Sequence, residues 1–201
     1  MQVSITKSVI EENIQLIKDG NVDTVLDRIN PSNFEDMLKI SDLFRYKRKY
    51  EIVEKIIERI LQINPHLLVA WHKWGILFIK MGKYDLALES VEKVLKINPK
   101  FERAWSNKGL IFGKLGQFRE ALNCLEKALQ INPDFDCAWS NKGVILGLLG
   151  RYEEAIECLD KAIQLNPSLA TAKYNKALAL EKVGRCMDAI EYYDNCLIIN
   201  P

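Results

Sequence analysis

The chain is poor in the residues that mark an enzyme or a metalloprotein. It has two histidines, His66 and His72, and neither stands at a metal-ligand or nucleophile–base spacing. Its five cysteines are an odd number without metal-type pairs, a usage that fits a reducing cytoplasm. Charge of one sign is also scarce. The 28 basic and 27 acidic residues leave a net +1, without the basic excess that a nucleic-acid surface needs. The longest apolar-plus-glycine run, Gly143 to Gly150, is far too short to cross a bilayer. The start, Met1-Gln2-Val3-Ser4, lacks the basic and apolar segments of a signal peptide. We therefore expect no cofactor, no metal, no nucleic acid and no membrane among its partners, and a cytoplasmic location.

Proline is scarce too, and its placement is informative. All six prolines follow an asparagine, at Pro31, Pro65, Pro99, Pro133, Pro167 and Pro201, a fixed interval of 34 residues. A period of this length marks a repeat array, in which each unit buries its apolar face only by stacking on its neighbours. Aligned on the prolines, units 102–135 and 136–169 are identical at 19 of 34 positions. Each unit reads as two helices. In the second half of 102–135, Phe118, Ala121, Leu122, Leu125, Ala128 and Leu129 recur at steps of three and four. Between the helices stands Gly82, Gly116, Gly150 or Gly184, at a helix end that favours a left-handed residue. Proline then stops the second helix. Cys124 and Cys158, one repeat apart, should lie on adjacent helices about 8–10 Å apart, too far for a disulfide.

The aligned columns carry the packing. Trp71, Trp105 and Trp139 each precede by four residues Gly75, Gly109 and Gly143, and twelve residues further on come Ala87, Ala121 and Ala155. A small residue on each helix lets the backbones approach while the aromatic fills the wedge beside them. Phe78, Phe112 and Leu146, then Tyr84, Phe118 and Tyr152, complete the set.

This succession of Trp, Gly, aromatic, Gly-x-aromatic, Ala and Pro resembles the tetratricopeptide repeat family. Units 68–101 and 102–135 meet the pattern in full, and 136–169 departs from it only at Leu146. Unit 170–201 keeps Gly184, Ala189 and Pro201 but has Lys173, Ala177 and Cys186 at pattern positions. Unit 34–67 keeps Phe44, Tyr50 and Pro65 and has Arg48 in place of the inter-helix glycine, so it reads as a degenerate repeat. Residues 1–33 read as divergent capping helices, with an amphipathic stretch from Val9 to Lys18 ended by Asp19-Gly20-Asn21. The resemblance implies an all-α, right-handed superhelical solenoid of stacked antiparallel helix pairs: a cap (1–33), a degenerate repeat (34–67) and four repeats (68–101, 102–135, 136–169, 170–201).

It also implies a non-enzymatic scaffold whose first helices line a peptide-binding groove. Asn107, Asn141 and Asn175 form one column there, with Lys73 in the same place one unit earlier. It lies two residues beyond the tryptophans, about 200° around the helix, and an amide offers a donor and an acceptor to any peptide backbone. Some family members use such a ladder. The five-residue clamp that other members use for chaperone C-termini is missing: in that register His72, Ile76, Asn107, Cys137 and Asn141 occupy its places, and only Asn107 matches.

Charge separates the two helix sets. The four first helices sum to +6 and the second segments to −4. Lys80, Lys114 and Lys182 share a column seven residues after the asparagines, on the same face. A groove of one sign attracts a partner of the other, so we expect an acidic peptide segment of a protein partner. Binding indifferent to salt would instead point to the apolar Ile76, Leu110, Val144 and Leu178. The alternative is structural self-association, or docking within a larger protein without a groove ligand. For this the C-terminal stripe Ile190, Tyr193, Leu197 and Ile198 is the candidate surface for a homo-oligomer.

The basic cluster Arg45-Tyr46-Lys47-Arg48-Lys49-Tyr50 falls where the turn of unit 34–67 is expected, and reads as a solvated turn.

Overall fold

The structure is a computed structural model that describes the backbone of residues 2–199 and the side chains of residues 10–194. Among the described residues there are twelve α-helices and no strand. The chain forms two compact units, Met1–Asn98 and Pro99–Pro201. The first holds α1 (Gln2–Lys18), α2 (Val22–Asp27), a 3-10 turn (Pro31–Asn33), α3 (Phe34–Tyr46), α4 (Tyr50–Ile63), α5 (Leu68–Met81) and α6 (Tyr84–Ile97). The second holds α7 (Glu102–Lys114), α8 (Phe118–Ile131), α9 (Asp136–Leu148), α10 (Tyr152–Leu165), α11 (Ala170–Lys182) and α12 (Cys186–Ile199). Within the second unit each helix packs on the next, and the first helices α7, α9 and α11 also touch in succession.

Two local devices set the helix boundaries. Between first and second helices the glycines take positive φ, as at Gly116 (75°), which costs a residue without Cβ little. The Gly116 N–H then bonds the Gly113 carbonyl, and the Gln117 N–H reaches back to the Phe112 carbonyl at 2.9 Å. This pair of bonds satisfies carbonyls that the helix end would leave open. Arg48 adopts the same conformation, with φ 57°, and the same two bonds form: Arg48 N–H to the Arg45 carbonyl and Lys49 N–H to the Phe44 carbonyl. The turn of residues 34–67 thus keeps its geometry without its glycine.

At the other boundary asparagine explains its own pairing with proline. Asn64, Asn132 and Asn166 leave the helical conformation after α4, α8 and α10. Each side-chain Oδ1 accepts the N–H two residues on, at 3.1 Å from His66, 3.1 Å from Asp134 and 3.2 Å from Ser168. Proline between them supplies the fixed φ and needs no partner for a missing N–H.

Packing follows the expected columns. Ala121, Leu125 and Ala128 of α8 are fully buried. A Cβ placed on Gly109 would lie 2.7 Å from Leu125 Cγ and 3.0 Å from the Ala121 carbonyl oxygen, and Gly143 is equally tight against Leu159. Gly75 is looser, with its nearest neighbours Ser90 and Val91 at 3.5 Å. The tryptophans are half-buried, and Trp71, Trp105 and Trp139 each donate the indole N–H to the carbonyl of the proline six residues earlier, at 2.7–2.9 Å. Lys93 and Lys127 lie over the rings of Trp71 and Trp105, at 5.9 and 4.5 Å. The amphipathic N-terminal segment is helical and stops at Gly20, φ 85°. On the last helix pair Met187, Ile190 and Tyr174 are 80 %, 52 % and 50 % exposed. Tyr193 packs edge-on against Tyr174, while the side chains of Leu197 and Ile198 lie outside the described residues.

Candidate functional site

The first helices of the second unit present one face built from α7, α9 and α11. Their asparagines stand at equivalent places but in different states. Asn141 donates its amide to Ser106 Oγ of the preceding repeat at 3.2 Å. Asn175 donates to the Thr171 carbonyl one turn back, at 2.7 Å. The Asn107 amide nitrogen is buried and finds no hydrogen-bond partner among the described residues. In the first unit Lys73 is tied to Asp42 of α3. The column is therefore no row of equivalent free amides: part of it joins one repeat to the next.

The lysine column is different. Lys80 on α5, and Lys114 and Lys182 at the ends of α7 and α11, are exposed. None of the three takes part in an ion pair or hydrogen bond among the described residues. The lysines directly after Asn141 and Asn175 are, by contrast, neutralised against second helices: Lys142 pairs with Glu126 at 3.3 Å, and Lys176 with Asp160 and the Tyr192 hydroxyl. Burial pulls the Lys176 ammonium down, but those two bonds outweigh it and leave its pKa raised. Second-helix carboxylates thus meet one lysine column and leave the other unbalanced.

Two expected residues come together at one place. Asn175 and Lys182 of α11 border a concavity of about 240 Å³, whose other walls include Val144, Gly147 and Leu148 of α9, Tyr152 of α10, and Leu178 and Ala179 of α11. Its surface is mostly apolar and no carboxylate lines it. Val144 and Leu178 were expected on this face; Asn107, Asn141 and Lys114 do not reach the concavity. Gly147, Leu148, Tyr152 and Ala179 were not singled out as site residues by sequence reasoning. A Cβ on Gly147 would meet nothing within 4 Å, so this mid-helix glycine makes no close contact of the kind seen at Gly109 and Gly143. The readable signal lay in the column Leu77, Ile111, Ile145, Ala179, where a large aliphatic residue becomes alanine.

Elsewhere the side chains offer little chemistry. Burial pushes the thiols of Cys124 and Cys158 up, away from the reactive thiolate. Cys124, Cys137, Cys158 and Cys186 are all unpaired. Among the described residues no three His, Cys, Asp or Glu side chains are grouped to hold a metal, and no helix is long and apolar enough to cross a membrane.

Comparison with known proteins agrees with this architecture. Family profiles described as tetratricopeptide repeat match residues 69–101, 102–135 and 137–169. No curated protein matches the sequence significantly. Among solved structures, TTC0263, a thermophilic TPR protein of Thermus thermophilus, superposes with a TM-score of 0.76 at 21% identity, over 84% of this chain and 92% of that one. Pseudomonas aeruginosa pilF gives 0.73 at 20% identity, over 85% and 78%. YrrB, described as a TPR protein with an unusual peptide-binding site, gives 0.56 at 21% identity, over 83% and 86%. Repeats matched in succession, on helix pairs that keep the packing and turn geometry described above, lead to one conclusion: the chain belongs to the tetratricopeptide repeat family.

Proposed function

We propose that the protein is a non-enzymatic scaffold that binds an acidic peptide segment of a partner protein along the first-helix face of α7, α9 and α11. In this reading residues 68–201 are four repeats, 34–67 a degenerate one and 1–33 a cap, acting in the cytoplasm. The observation that carries it is Lys182, exposed and without an ion-pair partner among the described residues, at the border of an apolar concavity free of carboxylates. Lys114 and Lys182 supply charge, the Asn175 side-chain oxygen accepts from a peptide N–H, and Asn141 holds the spacing of two repeats through Ser106. YrrB lends support as a protein of this fold described as having a peptide-binding site.

An array of acidic, neutral and basic peptides tests it. Acidic peptides should bind best, and their affinity should fall as salt rises and the Debye length shrinks from about 10 Å at 0.1 M to about 3 Å at 1 M. The double variant Lys114→Gln, Lys182→Gln should weaken binding and flatten that slope. Equal binding of acidic and basic peptides would refute the charge reading.

A second reading, self-association through the last helix pair, is favoured by the exposure of Met187, Ile190 and Tyr174. Sedimentation at two concentrations distinguishes it, since a monomer at both would remove it.

A further inference from the structure

The concavity between α9 and α11 has a specific origin. In the preceding repeat the space over Gly113 is taken by Ile145, whose Cδ1 lies 2.4 Å from where a Gly113 Cβ would stand. One repeat later the corresponding pair is Gly147 and Ala179. The glycine is kept, so the space is made, but the residue that would fill it has lost three carbons. The result is the apolar hollow of about 240 Å³, beside a Leu148 that is 61 % exposed. That volume is below the roughly 300–1,000 Å³ of pockets that enclose a whole small molecule, and so suits a single side chain.

Its surroundings select that side chain's neighbours. Lys182 stands at the border without an ion-pair partner among the described residues, and none of the residues lining the hollow carries a carboxylate. Asn175 borders it too, its amide donating to Thr171 and its oxygen left as an acceptor for a peptide N–H.

We propose that this hollow is a specificity pocket for one aliphatic side chain of an extended peptide, with a ligand carboxylate within about two residues, a reach of roughly 7 Å, paired to Lys182. The proposal rests on the peptide-binding reading above and narrows it: Ala179 and Gly147 choose the anchor residue, and Lys182 chooses the acid beside it. A bulky ring would meet Tyr152 and Leu178 in the walls of so small a space, whereas Leu, Ile or Met would replace the methyl and methylene groups that Ile145 supplies one repeat earlier.

The test uses the full chain and fluorescent peptides of about eight residues, long enough to cross two repeats at about 3.3 Å per residue. One peptide carries a central Leu followed by Glu, a second has Ala for Leu, and a third has Gln for Glu. The wild type should bind the Leu peptide about thirtyfold more tightly than the Ala peptide, as expected for burying the extra carbons of Leu. Ala179→Ile rebuilds the Ile145 arrangement over a glycine, and should bind both peptides with the weak affinity of the Ala peptide while melting no lower than wild type. Gly147→Leu, whose new side chain starts in open space, fills the hollow from its exposed side and should do the same. Lys182→Gln should remove the preference for Glu over Gln and leave that for Leu over Ala.

The outcomes separate the two ideas. If peptides bind but neither filling variant changes the Leu preference, the pocket is overturned and the peptide-binding reading stands. If none of the peptides binds, both fall. If filling the hollow instead dissolves a dimer of this chain, the occupant is a second copy and the peptide proposal is wrong.

Discussion

In the first unit the space between α3 and α4 is filled by mid-sized residues, where the second unit alternates very large with very small ones. Met37, Ser41 and Val53 are all buried at the places that Trp105, Gly109 and Ala121 occupy between α7 and α8. Ile60 is fully buried where α8 and α10 have Ala128 and Ala162. The same gap between two helices is thus closed by two distributions of volume. A second contrast runs alongside. Trp74 stacks on Trp71 and Phe78, with centroids 5.5 and 5.6 Å away, at the place where the second unit has Lys142 and Lys176 bridging to carboxylates. What recurs through the chain is therefore the backbone arrangement, and the side chains that sustain it are matched locally, so a residue natural to one repeat need not suit another.

Exchanging residues between the two solutions tests that statement. The largest effect should come from Ile60→Ala, which installs the later repeats' own residue in a site built for volume. It should cost about 2–5 kcal/mol, the range for deleting buried aliphatic carbons, as measured by urea unfolding with hydrogen exchange on α4. A loss under about 1 kcal/mol, typical of surface changes rather than core truncation, would show that the repeats are interchangeable and break the comparison.

Next in size is a pair of opposite sign. Gly109→Ala forces a methyl group against Leu125 and a backbone carbonyl, and overpacking of this kind costs about 1–3 kcal/mol, offset by up to about 1 kcal/mol of helix propensity. Gly75→Ala meets only ordinary contacts at 3.5 Å, so the propensity gain should dominate and stabilise by as much as about 1 kcal/mol. Both can be read from denaturation midpoints. Equal effects would mean that the closer approach at Gly109 has no energetic consequence.

The smallest expected change sharpens the contrast between turns. Arg48→Gly relieves a left-handed conformation held by a residue with a Cβ, and should stabilise the first unit by about 0.5–1 kcal/mol after the greater entropy of glycine in the unfolded chain is set against the strain. Its sign can be read from hydrogen exchange at the Lys49 amide, which should slow.

The features legible in the sequence are those confined to one repeat. Helix ends were written in Gly116 and in Asn132-Pro133, because turn chemistry involves residues a few positions apart. The close approach at Gly109 was readable from its phase with Trp105 and Ala121. Contacts that depend on a specific neighbour in another repeat were not. The Asn141 bond to Ser106 and the Lys73 pair with Asp42 distinguish positions that look uniform in the aligned columns. The hollow over Gly147 required reading two columns together, since neither the glycine nor Ala179 is unusual in a helix alone. Arg48 shows a related case: the repeat reads as degenerate for want of its glycine, yet the turn expected there forms with the same two backbone bonds.

The indole bonds redefine where a module of this protein can be cut. Trp139 opens one sequence repeat, yet its donor is satisfied by Pro133 of the repeat before; Trp105 depends on Pro99 in the same way. A graft taken along the 34-residue sequence frame would therefore leave its first tryptophan without its acceptor. An excision that starts at the proline carries the loop, its carbonyl and the indole together, as residues Pro99 and Trp105 are kept within one compact unit. For transplanting or shuffling these repeats, the transferable piece begins three residues before the sequence repeat does.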